Sequence, residues 1–184
     1  MKLSEIRNKI NTIDDRMKQL FDERLICSWE VAKVKINEND EVFKPLREKE
    51  IHDRFTGEEE NGYLAYVSKV IQISRKYQYK CFIESNKEEQ KFIDLIDKSP
   101  YKGIFKSGGL LRVSMNTDDA FERALDTKGV ISMLSDTGLT IKRIRVEEDY
   151  IEADLYVDNN KASIEEAYLT MYMLYKETIN FCFI

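Results

Sequence analysis

The fold is decided by residues 3–36, which read LSEIRNKINTIDDRMKQLFDERLICSWEVAKVKI and contain neither Gly nor Pro. Ten positions, alternately three and four residues apart, form one unbroken heptad seam: Leu3, Ile6, Ile10, Ile13, Met17, Leu20, Arg24, Cys27, Val31 and Val34. A single helix over this stretch is about 50 Å long at 1.5 Å per residue. A domain of this size cannot cover such a helix by itself, so the seam predicts a second chain.

Two more helices are predicted before residue 85. The polar residues 37–40 indicate a turn, and Pro45 suits the first position of a helix that runs to about Thr56, with Gly57 at its end. A third helix is predicted from Tyr63 to about Ile83, because its apolar residues recur at helical spacing. The first part of the chain is therefore expected to contain a long helix, a short one and a long one.

The second half of the chain changes its periodicity. A short connecting helix is expected over residues 88–98, and the run Ser107-Gly108-Gly109 indicates a loop. Strands are predicted at 110–115, 140–146, 150–157 and 179–184, and helices at 118–134 and 163–178. The order βαββαβ is that of a small ferredoxin-like sandwich.

The chain is therefore expected to be an α+β protein of two domains. A helical domain is predicted over residues 1–85 and a ferredoxin-like domain over residues 110–184, joined by a connecting helix and linker at residues 86–109. The length of 184 residues suffices to bury a core without disulfide or metal staples.

Charge and composition exclude several classes of function. Residues 1–85 hold 16 basic and 16 acidic side chains and residues 86–184 hold 13 and 18, so no nucleic-acid surface is expected. The three cysteines share no close spacing, and the single histidine, His52, leaves no room for a multi-His metal site. No apolar run approaches the ~20 residues of a membrane span, and no signal-peptide pattern is present. The sequence predicts a cytoplasmic protein without membrane or metal partners.

Two cations are expected on one face of the long helix. Arg24 lies within the seam, where an unpaired guanidinium costs several kcal/mol to bury, so an anionic partner is expected. That partner is either an acid of the chain, such as Glu23 or Glu48, or a bound anion. Lys35 follows eleven residues later, about 1100° of helix rotation, which returns it to within ~20° of the same face.

The second and third helices add polar groups to this face. Arg47 and Glu48 open the second helix, and Ser74 and Gln78, four residues apart, lie on the inward stripe of the third. With the two cations of the long helix they form a set of three cations, one carboxylate and two neutral donors, without an evident nucleophile. Such a set indicates a site that binds and polarises a small polyanion rather than covalent catalysis.

Arg7 can join this site only from another chain. It lies 28 residues from Lys35, roughly 42 Å along the same helix. An antiparallel two-fold dimer would bring Arg7 of one protomer to the Arg24 and Lys35 end of its partner, which gives two equivalent composite pockets.

Five blocks of sequence, in order over about residues 1–80, resemble the all-helical (type II) chorismate mutase family. The blocks are Leu3-x-x-Ile6-Arg7-x-x-Ile10-x-x-Ile13-Asp14, Glu23-Arg24, Val31-Ala32-x-Val34-Lys35, Val42-Phe43-x-Pro45-x-Arg47-Glu48 and Ser74-Arg75-x-x-Gln78. The resemblance implies an intertwined homodimer of three-helix subunits. It also implies the rearrangement of chorismate to prephenate in Phe and Tyr biosynthesis, a pericyclic reaction that needs no cofactor.

The resemblance further implies a role for each candidate residue. Arg7 of the partner chain, Arg24 and Arg47 would hold the two substrate carboxylates, with Ser74 assisting.

The catalytic residues implied by the resemblance are Arg24 and three other side chains. Lys35 and Gln78 would donate to the ether oxygen, which gains negative charge as the C–O bond breaks, and Glu48 would accept from the ring hydroxyl. Donors placed where charge develops are worth about 3–4 kcal/mol each.

Lys44 departs from the family pattern, which usually has Asp at this position. Because Lys44 precedes Pro45, it is expected at the N-cap of the second helix, where Lys is a poorer cap than Asp by about 1 kcal/mol. It also adds a positive charge beside the pocket, so it joins the expected substrate-binding residues.

Two other functions remain open for the helical half. An isochorismate-pyruvate lyase has the same fold and a similar cationic pocket, but it has no need of a partner for the ring hydroxyl such as Glu48. A non-catalytic module that senses an aromatic-pathway acid would have little use for both Lys35 and Gln78, since donors to the ether oxygen act mainly in the transition state.

The C-terminal half is similar in pattern to ACT-type amino-acid-sensing domains. The Pro-Gly pair that often follows the first strand of such domains is missing, since the chain reads Met115-Asn116-Thr117-Asp118. An aromatic amino-acid effector and a structural or oligomerising appendage are both open for this half.

Overall fold

The computed structural model describes residues 2–55, 61–117 and 125–184. Its N-terminal part holds three helices, α1 (Leu3–Glu38), α2 (Pro45–Asp53) and α3 (Asn61–Glu84). The prediction of one uninterrupted first helix is confirmed, because α1 continues for 36 residues. The second helix is shorter than predicted and ends at Asp53, and the predicted end at Thr56 and Gly57 lies outside the described residues.

The rest of the chain alternates helices with strands. The elements are α4 (Gln90–Lys98), α5 (Ile104–Ser107), β1 (Gly109–Asn116), α6 (Thr127–Ser135), β2 (Thr140–Val146), β3 (Tyr150–Val157), α7 (Lys161–Glu177) and β4 (Ile179–Phe183). The protein is therefore α+β, with a helical N-terminal region and a four-stranded C-terminal sheet.

Two details of this half differ from the sequence prediction. The expected loop around Ser107 begins with the single turn α5, because the apolar Ile104 is buried in the core and holds that turn against it. The helix predicted from 118 is observed from Thr127 onward, and residues 118–124 lie outside the described residues. Gly129 is tolerated in the first turn of α6 because its N–H donates to the Asp126 N-cap carboxylate at 2.6 Å.

The sheet is antiparallel throughout. Its strand order is β2-β3-β1-β4, so the two central strands are β3 and β1. Gly109 pairs with Val157 at one end of the central pair and Asn116 pairs with Tyr150 at the other. The alternation predicted for β3 is visible at Ile151 and Leu155, which are fully buried, and at Tyr156, which is exposed. It is wrong at Asp154, which is buried because it pairs with Arg112 of β1.

One core joins the sheet to five of the helices. Phe92 of α4 is fully buried, and its ring centroid lies 5.0 Å from that of Tyr172 in α7. Tyr172 in turn lies 5.6 Å, edge to face, from Tyr79 of α3. Because aromatic pairs of this kind add to the free energy gained from area burial, α3 and α7 are held together firmly. This contact links the helical region to the sheet.

Helix α1 leaves most of its apolar seam exposed. Its buried residues are Ser28 and Ala32, where it packs on α3. The seam residues Ile6, Ile10 and Met17 are between 37% and 49% exposed. A continuous apolar stripe of this length on the surface marks an interaction site. None of the helices in the described part of the chain combines the length and apolar character that crossing a membrane requires.

Gly108 is a position where only glycine fits. Its φ of +72° belongs to the left-handed region, and a Cβ added there would lie 2.6 Å from the Val157 carbonyl oxygen. Glycine therefore allows the chain to enter β1 beside the end of β3.

We expect Gly108→Ala to lower the free energy of unfolding by about 2 kcal/mol or more, because it adds backbone strain to a clash with main-chain atoms. Gly103→Ala is the matched control, since nothing lies within 4 Å of a Cβ there and its φ of −64° suits any residue. Urea unfolding of the two variants checks this. Equal stability of the two variants would contradict it.

Candidate functional site

Arg24 and Ser74 meet where α1 crosses α3. The Arg24 guanidinium donates through Nη1 to the Ser74 hydroxyl and, at 3.3 Å, to the carbonyl oxygen of Val70. The Ser74 hydroxyl donates to the same carbonyl at 2.8 Å. The close approach of the helices is possible because the facing α1 residues, Ser28 and Ala32, are small.

Two partners were open for Arg24, an acid of the chain and a bound anion, and the structure contradicts the first. Among the described residues no carboxylate lies within salt-bridge distance of its guanidinium, and Glu48 instead bonds to Arg75. Burial lowers the pKa of Arg24, which shows that the site disfavours the positive charge it holds. A half-buried cation with only neutral partners favours the approach of an anion.

Lys35 lies about three turns after Arg24 on the same face, near the C-terminal end of α1. Its ammonium donates to the carbonyl oxygen of Val42 at 2.8 Å, in the segment that leads into α2. Burial lowers the pKa of Lys35, with the nearby Lys44 acting in the same direction and Asp40 and Glu48 opposing it. Lys35 is therefore a second half-buried cation, after Arg24.

Lys44 occupies the N-cap of α2, as the sequence predicted. Its side chain caps no backbone N–H of the helix and instead lies 2.5 Å from the Asp40 carboxylate. Lys44 holds the pKa of Asp40 below its usual value through this hydrogen bond. The charge of Lys44 is thus partly compensated, and the helix lacks the side-chain cap that Asp or Asn would supply.

Glu48 is placed in the first turn of α2, facing α3. Its carboxylate accepts from Nη1 of Arg75, a residue that the sequence analysis did not include in the site. The signal for Arg75 was present, because it falls between Ile71 and Tyr79 at four-residue spacing, on the inward stripe of α3. An arginine inside an apolar stripe requires a buried partner.

Gln78 follows one turn after Ser74 and is buried. Its amide oxygen Oε1 has no hydrogen-bond partner within the parts of the chain that the structure describes. A buried, unpaired amide oxygen is costly, and groups of this kind are concentrated at functional positions.

Two of the predicted residues lie apart from this cluster in the single chain. Arg47 is exposed and pairs with Glu50 at 2.7 Å on the surface of α2. Arg7 is exposed near the start of α1, at the end of the helix opposite to Lys35. The geometry of one chain therefore brings Arg24 and Ser74 together and places Gln78 one turn further along α3, but it leaves Arg7 and Arg47 in solvent.

Two clefts of about 900 Å³ each lie elsewhere in the molecule. One is between α3, α6 and α7, flanked by the ion pairs Lys69–Asp136 and Lys76–Glu166. The other lies beside Thr127 at the start of α6. Neither is lined by the candidate residues. No cluster of three or more potential metal ligands occurs within residues 2–55, 61–117 and 125–184.

The fold and the site together define an all-helical segment that carries two half-buried cations, Arg24 and Lys35. Residues 6–90 match the family model of chorismate mutase type II, so this segment of the chain is similar to that family. The resemblance drawn from the sequence blocks is thereby confirmed. Neither a curated protein nor a solved structure matches the chain significantly.

Replacing Lys44 separates capping from charge at the start of α2. We expect the Lys44→Asn variant to be more stable than the Lys44→Ala variant, with a free energy of unfolding about 1 kcal/mol higher. The reason is that the Asn side chain can accept a hydrogen bond from the free N–H groups of the first turn. Both variants lose the ion pair with Asp40, so the comparison isolates the cap. Urea unfolding checks it, and an alanine variant as stable as the asparagine variant would refute it.

Proposed function

We propose that this protein is a chorismate mutase, an isomerase that converts chorismate to prephenate. The observation that carries the proposal is the setting of Arg24, a half-buried cation whose partners are the Ser74 hydroxyl and a backbone carbonyl. Chorismate bears two carboxylates, and a guanidinium binds a carboxylate with two parallel hydrogen bonds. The family match over residues 6–90 supports the same substrate.

The proposed mechanism is electrostatic and conformational. Arg24 and Ser74 hold one substrate carboxylate, and Lys35 and Gln78 donate to the ether oxygen as its C–O bond breaks. The unpaired Oε1 of Gln78 supports this role, since rotation of the amide by 180° would exchange it for a donating NH₂ group. Holding a flexible dianion in its reactive shape lowers the entropic part of the barrier. The reaction as proposed needs no cofactor.

Glu48 accepts from the ring hydroxyl in this proposal, and Arg47 and Lys44 lie at the edge of the pocket. Arg47 is now paired with Glu50 on the surface, so its binding of a carboxylate requires a change of rotamer. Lys44 keeps its ion pair with Asp40 and raises the local positive potential.

A homodimer completes the proposed site. The exposed seam of α1 needs a long apolar partner, and a second copy of α1 in antiparallel orientation supplies one of equal length. The same arrangement places Arg7 of each protomer beside Arg24 and Lys35 of its partner. Arg7 would then bind the second substrate carboxylate.

For the C-terminal part we propose a ferredoxin-like domain over residues 110–184, after a helical domain at 1–85 and a connection at 86–109. The antiparallel order β2-β3-β1-β4 and the helix that follows each central strand support it. An aromatic amino-acid effector for this domain stays a prediction, as does a cytoplasmic location. Calorimetry with phenylalanine, tyrosine and tryptophan tests the effector, and the absence of binding would refute that prediction.

We expect Arg24→Ala, Lys35→Ala and Gln78→Ala each to lower kcat/KM for chorismate by about 10²–10³, because each removes a donor to developing or fixed negative charge. Lys33→Ala is the matched control on α1, since Lys33 is exposed and pairs with Glu30 at 2.7 Å. Wild-type rates in all three pocket variants would overturn the proposal.

Mixing two inactive variants tests the shared site. Arg7→Ala and Arg24→Ala homodimers are both expected to be nearly inactive. After unfolding and refolding together in equal amounts, random pairing makes half of the dimers heterodimers, each with one intact pocket. We expect about one quarter of the wild-type activity to return. No recovery, with heterodimers shown by mass spectrometry, would exclude a pocket shared between subunits.

A further inference from the structure

Arg75 of α3 joins the candidate site to the C-terminal part of the chain. Its side chain is only 8% exposed and contacts two helices, α2 and α7, and the segment that leads into α2. Nη1 donates to Oε2 of Glu48 in α2, the guanidinium lies 4.9 Å from the centroid of the Phe43 ring, and Nε lies 3.1 Å from Oε1 of Glu177. Glu177 is the last residue of α7, just before β4.

Glu177 is in an unusual position for a carboxylate. Its side chain is fully buried, between the end of α7 and the inward stripe of α3, and Tyr79 lies beside it. One guanidinium is therefore shared between two carboxylates, Glu48 on one side and Glu177 on the other. If the Glu177 carboxylate lost its charge, Glu48 would be the single remaining counter-ion of Arg75 in this cluster.

The charge balance of this cluster makes Glu177 sensitive to pH. Burial raises the pKa of Glu177 to about 7, with the Glu48 carboxylate acting in the same direction and Arg75 opposing it. Among the described residues, the other titratable group that faces Glu177 is Tyr79, whose pKa burial raises well above its usual value. Glu177 therefore changes its charge near neutral pH, whereas Arg75 and Tyr79 do not.

We propose that Glu177 is a positioning residue for Glu48: the ionised carboxylate at the end of α7 holds Arg75 in place, so that Glu48 stays oriented toward the substrate hydroxyl. This inference rests on the proposed function. It gives the C-terminal part a direct effect on catalysis, because α7 and β4 must be docked on α3 for Glu177 to reach Arg75. Neutral Glu177 releases Arg75, which then draws the Glu48 carboxylate away from the pocket.

A second ion pair between the same helices supplies a matched control. Lys76 of α3 pairs with Glu166 of α7, partly buried and one residue along α3 from Arg75. Glu166→Gln removes a carboxylate of α7 from α3, as Glu177→Gln does, but it has no connection to Glu48. A purely structural role of the interface predicts similar effects of the two variants.

Carbon-detected NMR of the glutamate side-chain carboxyl groups tests the connection without any assay of activity. The Glu48 signal, assigned with Glu48→Gln, is expected to shift with a midpoint near pH 7 in the wild-type protein and in Glu166→Gln. It is expected to stay constant through that range in Glu177→Gln. The inference is overturned if the chemical shift of Glu48 does not change near pH 7 in the wild-type protein. It is also overturned if that shift still changes near pH 7 in Glu177→Gln.

Kinetics then tests the consequence for catalysis. We expect kcat of the wild-type protein and of Glu166→Gln to rise through pH 7. Glu177→Gln should be flat and at least about tenfold lower at pH 8, since displacement of a catalytic group by an ångström is this costly. Glu48→Gln and Glu48→Gln/Glu177→Gln should have equal kcat, because Glu177 acts only through Glu48. Additive losses in the double variant would overturn the inference.

Two outcomes separate this inference from the proposed function. A wild-type protein with no turnover of chorismate refutes the mutase proposal, and the NMR titration still decides the connection between the two carboxylates. If Glu177→Gln does not fold, Arg75→Lys replaces it, because a single ammonium cannot span both carboxylates as the guanidinium does. Arg75→Lys is then expected to lower kcat and to abolish the shift of the Glu48 signal near pH 7.

Discussion

The structure depends on a helix that its own chain cannot cover. α1 is 36 residues long, and the rest of the chain buries only Ser28 and Ala32 of it. The small residues at that one crossing let α3 approach closely enough for Ser74 to reach Arg24. The remaining apolar seam is left to another molecule. The same helix thus determines both the packing and the chemistry of the site. Its segment around Ser28 and Ala32 packs on α3, and the rest of its apolar seam is available to a partner.

The candidate site follows from how charge is distributed around that crossing. Arg24 is half-buried among neutral oxygens. Lys35 is also half-buried and donates to a carbonyl oxygen, with the carboxylates of Asp40 and Glu48 nearby. Glu48 is itself paired with Arg75. The positive charges therefore remain available to an anion. This arrangement costs stability in the empty protein, because burying a charge without a counter-ion is unfavourable. Such a cost is expected where a charged ligand completes the structure.

Local pattern predicted most of the elements. The heptad seam predicted α1, and the alternation of Ile151, Ala153 and Leu155 against polar residues predicted β3 with its observed bounds. Proline and capping chemistry placed the start of α2 and Lys44 at its N-cap. These features depend on residues close together in sequence, so the sequence alone carries the information.

Features that arise from tertiary packing could not be predicted in this way. Arg75 and Glu177 meet only because α3 packs on α7, and nothing in either local pattern links them. The choice between the two partners left open for Arg24, an acid of the chain or a bound anion, also depends on tertiary packing, because Arg75 holds Glu48. The grouping of Arg7 with the other cations requires a second chain, so a single-chain structure leaves it a prediction.

The most direct test of the central claim, that these half-buried cations bind and rearrange a dianion, is proton NMR of chorismate incubated with the purified protein. The account predicts that chorismate disappears far faster than in buffer and that prephenate is the single new product. Chorismate that decays at the same rate with and without the protein would contradict it.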